Sequence, residues 1–395
     1  MVCSGHHWKP NVVSFKAQDK FKGKVLHSHA YKDQKGFEDK TVVVVGIGNS
    51  GVDVAVELSR HSKQVYLATR SGAWIASRIQ YGLPADLVAN TRLGYYLPFS
   101  VREKLGQVML QQITGDIGNF GLKAKFSALS AHPTINGELL GRIIVGSVIA
   151  KPNIAEFTGD KSLRFEDGTV LEDVDVVILC TGYEIDFPFM DSVSTGFKVT
   201  DNFVDLYKYV FLPPPKSNTK RKVWPTLSFI GLIQPWGAIM PISEMQGRWV
   251  TQALTGKRRL PSGQEMWRDI EAKKVEMGHR YKSSKRHTIQ VEYVDYMDEL
   301  AALIDAAPTF WRLFFGVSPS FAVRSVFGPV VPPYYRIFGH GKWNGAVKAV
   351  NELFVRNYYP TRTRVVAEVK GSNFKTRAII ALIVLLLVIR FLRRR

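Results

Sequence analysis

The chain has 395 residues, 46% of them hydrophobic, so it is long enough for two folded domains with full apolar cores. Its 53 basic and 34 acidic residues give a formal net charge of +19, which favours a polyanionic neighbour such as a membrane surface, a phosphorylated ligand or nucleic acid. No helix-turn-helix, zinc-finger or RNA-recognition pattern accompanies these basic residues, so the sequence argues against nucleic-acid binding.

The first segment, residues 1–40, reads as the end of a strand followed by a polar connector. Its cysteine, Cys3, and the second cysteine of the chain, Cys180, each end an apolar run and precede a Ser-Gly or Thr-Gly pair. This placement is typical of two similar strand ends. It predicts free thiols in a reducing compartment rather than a disulfide.

Residues 41–61, TVVVVGIGNSGVDVAVELSRH, predict a strand, a glycine turn and a helix in direct succession. The valines before the turn suit a strand that is buried on both faces of a parallel sheet. Gly46, Gly48 and Gly51 form G-x-G-x-x-G: the first permits the tight turn, the second lets a pyrophosphate approach the backbone, and the third lets the helix pack on the strand. The free N–H groups of the helix N-terminus complete a predicted phosphate site.

The next strand, at 64–72, decides between two nucleotides. An NAD site places Asp or Glu at the end of this strand, where the carboxylate accepts a hydrogen bond from the ribose 2′-hydroxyl. This strand ends in Thr69 and Arg70 instead. A guanidinium holds a 2′-phosphate with a forked, charge-assisted pair, whereas a carboxylate would repel it. The turn is therefore predicted to bind NADP(H); the alternative is that Arg70 is a solvated strand-end residue.

Beyond this strand the pattern changes to mixed periodicity and then to short strands. Residues 75–140 predict a helical insertion that interrupts the nucleotide-binding unit. Residues 164–172 predict a hairpin that turns at Asp167-Gly168, and residues 173–183 predict a buried strand that runs into a second glycine turn.

The second half of the chain is less regular. A strand is expected at 227–234, a helix around 241–254, and charged helices over 263–305. Residues 308–338 are rich in aromatic residues and prolines, which leaves open a substrate channel, a membrane-facing surface or ordinary core packing. The nine histidines lack metal-ligand spacing, so no metal site is predicted.

The last segment, 376–392, predicts a hydrophobic membrane anchor. Ala378 to Ile389 form an unbroken apolar run between Arg377 and Arg390. The run is shorter than the roughly 20 residues of a full span, so it either crosses with snorkelling arginines or lies in one leaflet. A buried core helix is the alternative, which basic residues at both ends disfavour.

A specific motif lies just upstream of the glycine turn. FKGKVLHSHAY at 21–31 fits F-x-G-x-x-x-H-x-x-x-[FY] through Phe21, Gly23, His27 and Tyr31. Through this motif the chain resembles the flavin-containing monooxygenases, whose fingerprint it is. Further matches lie along the whole chain: RSGAW, HPTIN, FEDGT, CTGY and FIGLIQPWG. The related Baeyer–Villiger monooxygenases close the motif with Trp, so Tyr31 favours heteroatom oxygenation over ester formation.

The resemblance implies an α/β fold with two dinucleotide-binding, Rossmann-like, three-layer domains that bind NADPH and FAD. Family members reduce FAD with NADPH, and O2 then forms a C4a-hydroperoxyflavin that passes one oxygen atom to a soft nitrogen or sulfur nucleophile. The expected partners are a small amine or sulfide, O2 and, through the tail, a membrane. The expected location is the endoplasmic reticulum membrane with the catalytic part in the cytosol; homo-oligomerisation is left open.

The resemblance also implies roles for individual residues. It places Asn49 beside the nicotinamide and the flavin, and Gln234 near the isoalloxazine ring, so these two are the predicted catalytic residues. The predicted cofactor-binding residues are Gly46, Gly48, Asn49, Ser50, Gly51, Thr69, Arg70, Thr181, Gly182 and Gln234.

Family members begin with an FAD-binding strand, turn and helix that have no counterpart in this sequence, so the FAD domain is expected to be incomplete. The expected division is a remnant of that domain with its connector at 1–40, an NADP(H)-binding domain at 41–182, the remainder of the FAD and substrate domain at 183–370, and the anchor at 376–392. Two alternatives stay open: a catalytically silent NADP(H)-binding membrane protein, and an NADPH reductase with another acceptor.

The assignment of Arg70 is testable by substitution. We expect Arg70→Ala to weaken NADPH binding about tenfold to a hundredfold, because charge-assisted hydrogen bonds to the 2′-phosphate are lost. NADH, which lacks that phosphate, serves as the control ligand and should bind as before. Dissociation constants from nucleotide fluorescence measure both; equal losses for the two nucleotides would show that Arg70 does not read the 2′-phosphate.

Overall fold

The computed structural model describes residues 1–190, 196–218, 227–281 and 288–361. The chain divides into two compact units. The first unit contains Met1–Ala85, Phe99–Gln234 and Pro261–Gln290. The second contains Asp86–Pro98, Pro235–Leu260 and the chain from Val291 onward. Each unit is therefore assembled from segments that are distant in the sequence.

A parallel sheet of five strands forms the centre of the first unit. Its strands are β1 (Lys24–His27), β2 (Thr41–Val45), β3 (Gln64–Thr69), β4 (Val148–Pro152) and β5 (Val176–Leu179). They lie in the order β1-β5-β2-β3-β4, so β5, the last in the chain, inserts between β1 and β2. Because the strands are parallel, the carboxyl ends of β5 and β2 are neighbours at one edge of the sheet, and a glycine turn follows each of them.

The predicted strand, turn, helix and strand over 41–74 are confirmed. β2 is buried along its whole length, as expected for a valine-rich strand that is covered on both faces. Helix α1 (Asn49–Leu58) follows the turn and buries Val52, Ala55 and Leu58 against the sheet. Their spacing places them on one face of the helix, which explains why this segment folds onto β2.

A three-stranded antiparallel sheet covers the opposite face of β2 and β5. Its strands are Ile154–Gly159, Ser162–Phe165 and Val170–Leu171. Phe157 and Phe165 pack in one buried cluster with Val43 and Val177 of the parallel sheet. The predicted hairpin at 164–172 is confirmed, and its turn contains Gly168 with a φ of +83°. Helix, parallel sheet and antiparallel sheet thus form three layers.

Shorter elements complete the first unit. The predicted insertion at 75–140 contains one long helix, Phe99–Thr114, together with short strands. The other helices are Leu139–Ile144 and Gly263–Arg280, with 3-10 turns at Gln18–Lys20, Ile117–Phe120 and Lys216–Asn218. The other strands are Lys9–Pro10, Ile75–Ala76, Ile79–Gln80, Leu83–Pro84, Thr134–Ile135, Tyr183–Glu184, Val199–Thr200 and Phe203–Val204. Helix Ala85–Ala89 and strands Gln234–Pro235 and Gln290–Val291 lie at the limits of the unit.

The second unit is helical in the part that the structure describes. Its α-helices are Arg92–Tyr96, Ile239–Leu254, Tyr293–Leu303, Phe310–Gly316, Pro319–Phe327, Ala346–Asn351 and Leu353–Asn357, with 3-10 turns at Pro332–Arg336 and Tyr359–Thr361. Arg92 lies in its core, where Asp298 accepts a hydrogen bond from Nη2 at 2.8 Å and another from the Tyr335 hydroxyl at 2.7 Å. The ion pair with Asp298 offsets the desolvation cost of burying the Arg92 guanidinium.

The second half of the chain departs from the sequence predictions in two places. The expected strand at 227–234 is wrong: only single bridges form at Ser228 and Phe229, and pairing resumes at Gln234. The main chain turns at Gly231, with a φ of +77°, which interrupts the extended run. The helix expected around 241–254 is confirmed, and the charged segment 263–305 forms two separate helices.

The aromatic segment 308–338 divides between core and surface. Phe321, Tyr334 and Tyr335 are buried, whereas Trp311 and Phe315 are exposed. Within the described ranges, no helix has both the length and the apolar character that a membrane crossing requires. The predicted anchor at 376–392 lies outside the described residues.

Close packing at Gly51 generates a stability prediction. A Cβ at this position would lie 1.9 Å from the carbonyl oxygen of Gly46, so we expect Gly51→Ala to destabilise the protein by about 3 kcal/mol or more. Chemical denaturation of the full chain measures this loss. The control is Gly247→Ala in helix Ile239–Leu254, where an added Cβ meets nothing within 4 Å and stability should not fall. Equal stability of both variants would contradict the packing argument.

Candidate functional site

Two glycine turns meet at the carboxyl edge of the parallel sheet. Gly46, after β2, has a φ of +113°, and a Cβ there would lie 2.4 Å from the carbonyl oxygen of Cys180, after β5. The Cys180 N–H donates to the Val45 carbonyl at 2.8 Å, so the two turns are bonded directly. At Gly51 the approach is closer still, because a Cβ there would lie 1.9 Å from the Gly46 carbonyl oxygen. Glycine is therefore required at positions 46 and 51 by backbone contact alone.

Gly48, the residue before α1, faces open space. A Cβ there would meet nothing within 4 Å, so this glycine is not required by packing within the protein. In the described part of the chain no side chain caps α1, and the first turn of this helix contains no acidic residue. The N–H groups of Asn49, Ser50 and Gly51 are therefore left for an anion, and the open surface at Gly48 gives a phosphate room to reach them.

The segment 132–136, HPTIN, holds the first turn from one side. Thr134 Oγ1 donates to the Ile47 carbonyl at 2.6 Å. The Ile135 N–H donates to Asn49 Oδ1 at 2.8 Å, which fixes the side chain of the predicted catalytic asparagine. The sequence showed HPTIN only as a family match; its role as a clamp arises from contacts between segments that lie more than 80 residues apart.

The fingerprint histidine holds the second turn. His27 Nδ1 accepts a hydrogen bond from the His29 N–H at 3.1 Å, so the ring proton lies on Nε2. That Nε2–H donates to the Gly182 carbonyl at 3.0 Å. Burial lowers the pKa of His27, which favours this neutral ring. The Asn11 N–H donates to the same carbonyl at 2.9 Å, so Gly182 is held from two sides.

The other fingerprint residues support the fold around the turns. Phe21 is buried, and a Cβ at Gly23 would lie 2.4 Å from the Phe21 ring. The Tyr31 hydroxyl donates to Glu57 of α1 at 3.0 Å, which ties the connector to the helix. Phe21, Gly23 and Tyr31 are absent from the lining of the cavity described next, as far as the described residues show. Phe21 packs in the cluster beneath the parallel sheet, so the contacts of these residues support the surrounding fold.

A cavity of about 230 Å³ opens where the two turns meet. It brings together residues that were predicted from distant segments, including both predicted catalytic residues. Those that line it are Gly48, Asn49, Ser50, Gly51, Gly182 and Gln234. Local sequence pattern did not place Gln234 beside Asn49; that expectation came from the family resemblance, and both residues line this cavity.

Histidine and tyrosine rings form one wall of the cavity, and sequence reasoning missed them. His6, His7 and Tyr183 line it. The ring centroids of His7 and Tyr183 are 5.2 Å apart at an interplanar angle of 27°, and those of His6 and His7 are 4.3 Å apart, edge to face. His6 is 8% exposed, and burial, followed by the charge of His7, lowers its pKa to about 4. The wall therefore presents aromatic faces and a neutral imidazole at pH 7.

Asn202 is a second residue that sequence reasoning missed. It lies with Asp201 in the two-residue turn between strands Val199–Thr200 and Phe203–Val204, and both have a positive φ, 52° and 63°. Its Oδ1 accepts from the Ile185 N–H at 2.8 Å at the cavity. The Asp-Asn pair between β-branched and aromatic residues is a hairpin signal that could have revealed this turn.

The remaining predicted cofactor residues lie outside the cavity lining. Thr69 is buried at the end of β3, where its Oγ1 accepts from the Gly72 N–H at 3.1 Å. Arg70 follows it and is exposed. Gly46 and Thr181 belong to the turns behind the cavity. Among the described residues, no group of three or more His, Cys, Asp or Glu could hold a metal ion.

The three-layer α/β fold and the paired glycine turns define a dinucleotide-binding protein. A family model described as flavin-binding monooxygenase-like matches residues 1–393. The chain belongs to this family of oxidoreductases, which are flavin-dependent monooxygenases that use FAD and NADPH.

The curated relatives agree with the family match. The chain is 47% identical to flavin-containing monooxygenase 5 of Homo sapiens over 373 residues, which cover 93% of this chain and 68% of the relative. It is 39% identical to flavin-containing monooxygenase 2 of the same species over 395 residues, or 98% of this chain and 71% of the relative. The chain thus spans about two thirds of the length of these relatives.

A solved structure supports the same fold. The S-allyl-L-cysteine S-oxygenase of Allium sativum superposes with a TM-score of 0.52 at 26% sequence identity. The superposition covers 90% of this chain and 63% of that one.

Burial of His6 generates a pH prediction. Since its pKa falls from 6.5 in the unfolded chain to about 4 in the fold, the stability it contributes is present above pH 6.5 and is lost as the pH falls towards 4. We expect the free energy of unfolding to drop by about 2 kcal/mol more in the wild type than in His6→Phe between pH 7.5 and pH 5. Denaturant titrations at the two pH values measure this. His61→Phe, at an exposed position, is the control and should show the same decrease in the free energy of unfolding as the wild type. If His6→Phe also showed the wild-type decrease, the prediction would be contradicted.

Proposed function

We propose that this chain provides the nucleotide site of an NADPH- and FAD-dependent monooxygenase that inserts one oxygen atom of O2 into soft nitrogen or sulfur nucleophiles. One observation carries the proposal. Asn49 of the glycine turn and Gln234 of a distant segment line the same cavity. Polar amides of this kind, beside an uncapped helix N-terminus, suit a dinucleotide that presents phosphates at one end and a heteroaromatic ring at the other.

Three features of the cavity fit such a ligand. The helix N-terminus and the open surface at Gly48 match a pyrophosphate. The rings of His7 and Tyr183 offer faces for stacking. His6 Nδ1 is a buried polar atom that has no hydrogen-bond partner among the described residues, and a ligand atom would satisfy it.

The residues of this chain then act by binding and orientation. The N–H groups at the start of α1 hold the pyrophosphate, and Arg70 at the end of β3 pairs with the 2′-phosphate. Asn49 keeps its Oδ1 on the Ile135 N–H, so its Nδ2 is left to donate into the cavity. When bound, NADPH supplies a hydride and FAD supplies the oxygen activation.

Proton control in the cavity depends on neutral groups. Burial keeps the pKa of His6 near 4 and raises the pKa of the Cys180 thiol to about 12, so neither group is charged at pH 7. Both line the cavity, which therefore offers weak acids and bases at this wall. This environment suits an oxygen-transfer site, because proton leakage would discharge a reactive intermediate before the substrate arrives.

The finer predictions on organisation and location belong to the same proposal. We infer the domain limits 41–182 and 183–370, and attachment to the endoplasmic reticulum membrane through 376–392 with the catalytic part in the cytosol. Sequence supports the attachment: an apolar run lies between basic residues, and the net charge of +19 favours an anionic membrane face. A small amine or sulfide and O2 are the proposed reaction partners.

The full chain, purified in detergent, tests the proposal. With FAD and NADPH supplied, we expect a bound-flavin absorption spectrum and O2-dependent NADPH oxidation that yields the N-oxide of N,N-dimethylaniline. A chain that binds NADPH but stays without flavin would favour the silent nucleotide binder. Repeated NADPH turnover without O2, with an added quinone or dye as the hydride acceptor, would favour the reductase.

A matched variant locates the phosphate site. We expect Gly48→Ala to weaken NADPH binding about tenfold, because its methyl group occupies the open surface that the pyrophosphate approaches. Stability should be retained, since the methyl group meets no protein atom within 4 Å. Gly141→Ala, also in open space, is the control for binding. Unchanged NADPH affinity in Gly48→Ala would show that the pyrophosphate does not bind at this turn.

A further inference from the structure

Three side chains of the first unit form a hydrogen-bonded chain that ends at the cavity. His132 Nε2 contacts Gln290 Oε1, and Gln290 Nε2 donates to Gln234 Oε1 at 2.7 Å. Gln290 is 3% exposed, and Gln234 lines the cavity. The histidine of HPTIN is thereby connected to the cavity through two amides.

Main-chain and side-chain hydrogen bonds fix the position of Gln234 and determine which group its amide presents. Its N–H donates to the Ile289 carbonyl at 2.7 Å, so its backbone is held beside Gln290. The amide at the end of the side chain has one donor group and one acceptor oxygen. With the oxygen bonded to Gln290, the NH2 group has no hydrogen-bond acceptor among the residues that the structure describes, which leaves it for the cavity.

The direction of the whole chain depends on His132. In the observed arrangement, His132 Nε2–H donates to Gln290, and Gln290 donates to Gln234. In the reversed arrangement, both amides would be turned over, and the Gln234 oxygen would face the cavity. A buried amide that is paired at both ends cannot turn alone, because it would leave two groups unsatisfied.

The charge of His132 suits the observed direction. Burial lowers its pKa, with a smaller decrease from the nearby Arg280, while hydrogen bonds with Gln290 and with the Gln234 main chain oppose the decrease. The ring is therefore neutral near pH 7 and has a single N–H. Placing that proton on Nε2 sets the direction of the chain.

We propose that His132 and Gln290 are positioning residues that turn the Gln234 amide so that its NH2 donates to a carbonyl oxygen of the ligand in the cavity. Nicotinamide and isoalloxazine rings both carry such oxygens, so the inference deepens the proposed function and rests on it. Neither residue touches the ligand. Their effect passes through the orientation of one amide.

The direction of the chain is measurable without a ligand. Ring-nitrogen NMR of the full chain labelled with 15N-histidine, assigned with His132→Gln, reports which nitrogen carries the proton. We expect His132 Nε2 to be protonated and Nδ1 to be unprotonated. The opposite tautomer would reverse the chain and overturn the proposal, whether or not any nucleotide binds.

A double-mutant cycle tests the effect on the ligand. Dissociation constants for NADP⁺ and for FAD are measured on the wild type, His132→Leu, Gln234→Leu and the double variant. We expect His132→Leu to weaken one of the two ligands about threefold to tenfold, and the double variant to bind it no more weakly than Gln234→Leu. Additive losses would show that His132 acts independently of Gln234, which would contradict the proposal.

A buried glutamine elsewhere separates orientation from stability. Gln246 is fully buried and its Nε2 donates to the Tyr296 hydroxyl at 2.9 Å, and it does not belong to the cavity lining. Gln246→Leu should lower the denaturation midpoint and leave both dissociation constants unchanged. If Gln246→Leu lost as much affinity as Gln290→Leu, the effect of Gln290 on binding would be attributable to stability alone. If the wild type binds neither nucleotide, the proposed function fails. The tautomer of His132 still tests the direction of the hydrogen bonds from His132 through Gln290 to Gln234.

Discussion

The contact between the two glycine turns is the constraint on which the site depends. β5 inserts beside β2, so the main chain after each strand reaches the same edge of the sheet. There the Cys180 carbonyl oxygen lies 2.4 Å from the position of a Cβ on Gly46. The Gly46 carbonyl oxygen lies 1.9 Å from the position of a Cβ on Gly51. This backbone packing brings the N-terminus of α1 beside Gly182 and creates the cavity between them.

The residues that mark the family most specifically are the ones that build the site rather than line it. His27 holds the Gly182 carbonyl, and Tyr31 holds Glu57 of α1. His27 thus anchors the connector to the turn after β5, and Tyr31 anchors it to the helix that follows the other turn. HPTIN does the same from another direction, through Thr134 and the Ile135 N–H. The fingerprint at 21–31 and the HPTIN contacts thus support the turns, whereas the residues of the two glycine turns line the cavity.

Three titratable groups at or near the cavity are uncharged at neutral pH. Burial lowers the pKa of His6 and His132 and raises that of Cys180, so these groups donate and accept hydrogen bonds as neutral species. The direction of each hydrogen bond then matters more than charge. A neutral imidazole has one N–H donor, and an amide whose oxygen is already bonded presents only its NH2 group to a ligand. Gln234 and Asn49 each have their oxygen bonded within the protein, and each therefore presents an NH2 group.

The local pattern of residues 41–70 was enough to predict β2, its turn, α1 and the end of β3, because the valine run, the glycine spacing and the helical periodicity each lie within a short stretch of sequence. The hairpin at 164–172 was predictable for the same reason. The insertion of β5 between β1 and β2, and the positions of His6 and Asn202 in the lining of the cavity, were not predictable in this way. These depend on packing between segments far apart in the chain, and periodicity and turn signals report only the contacts that a residue makes within its own element.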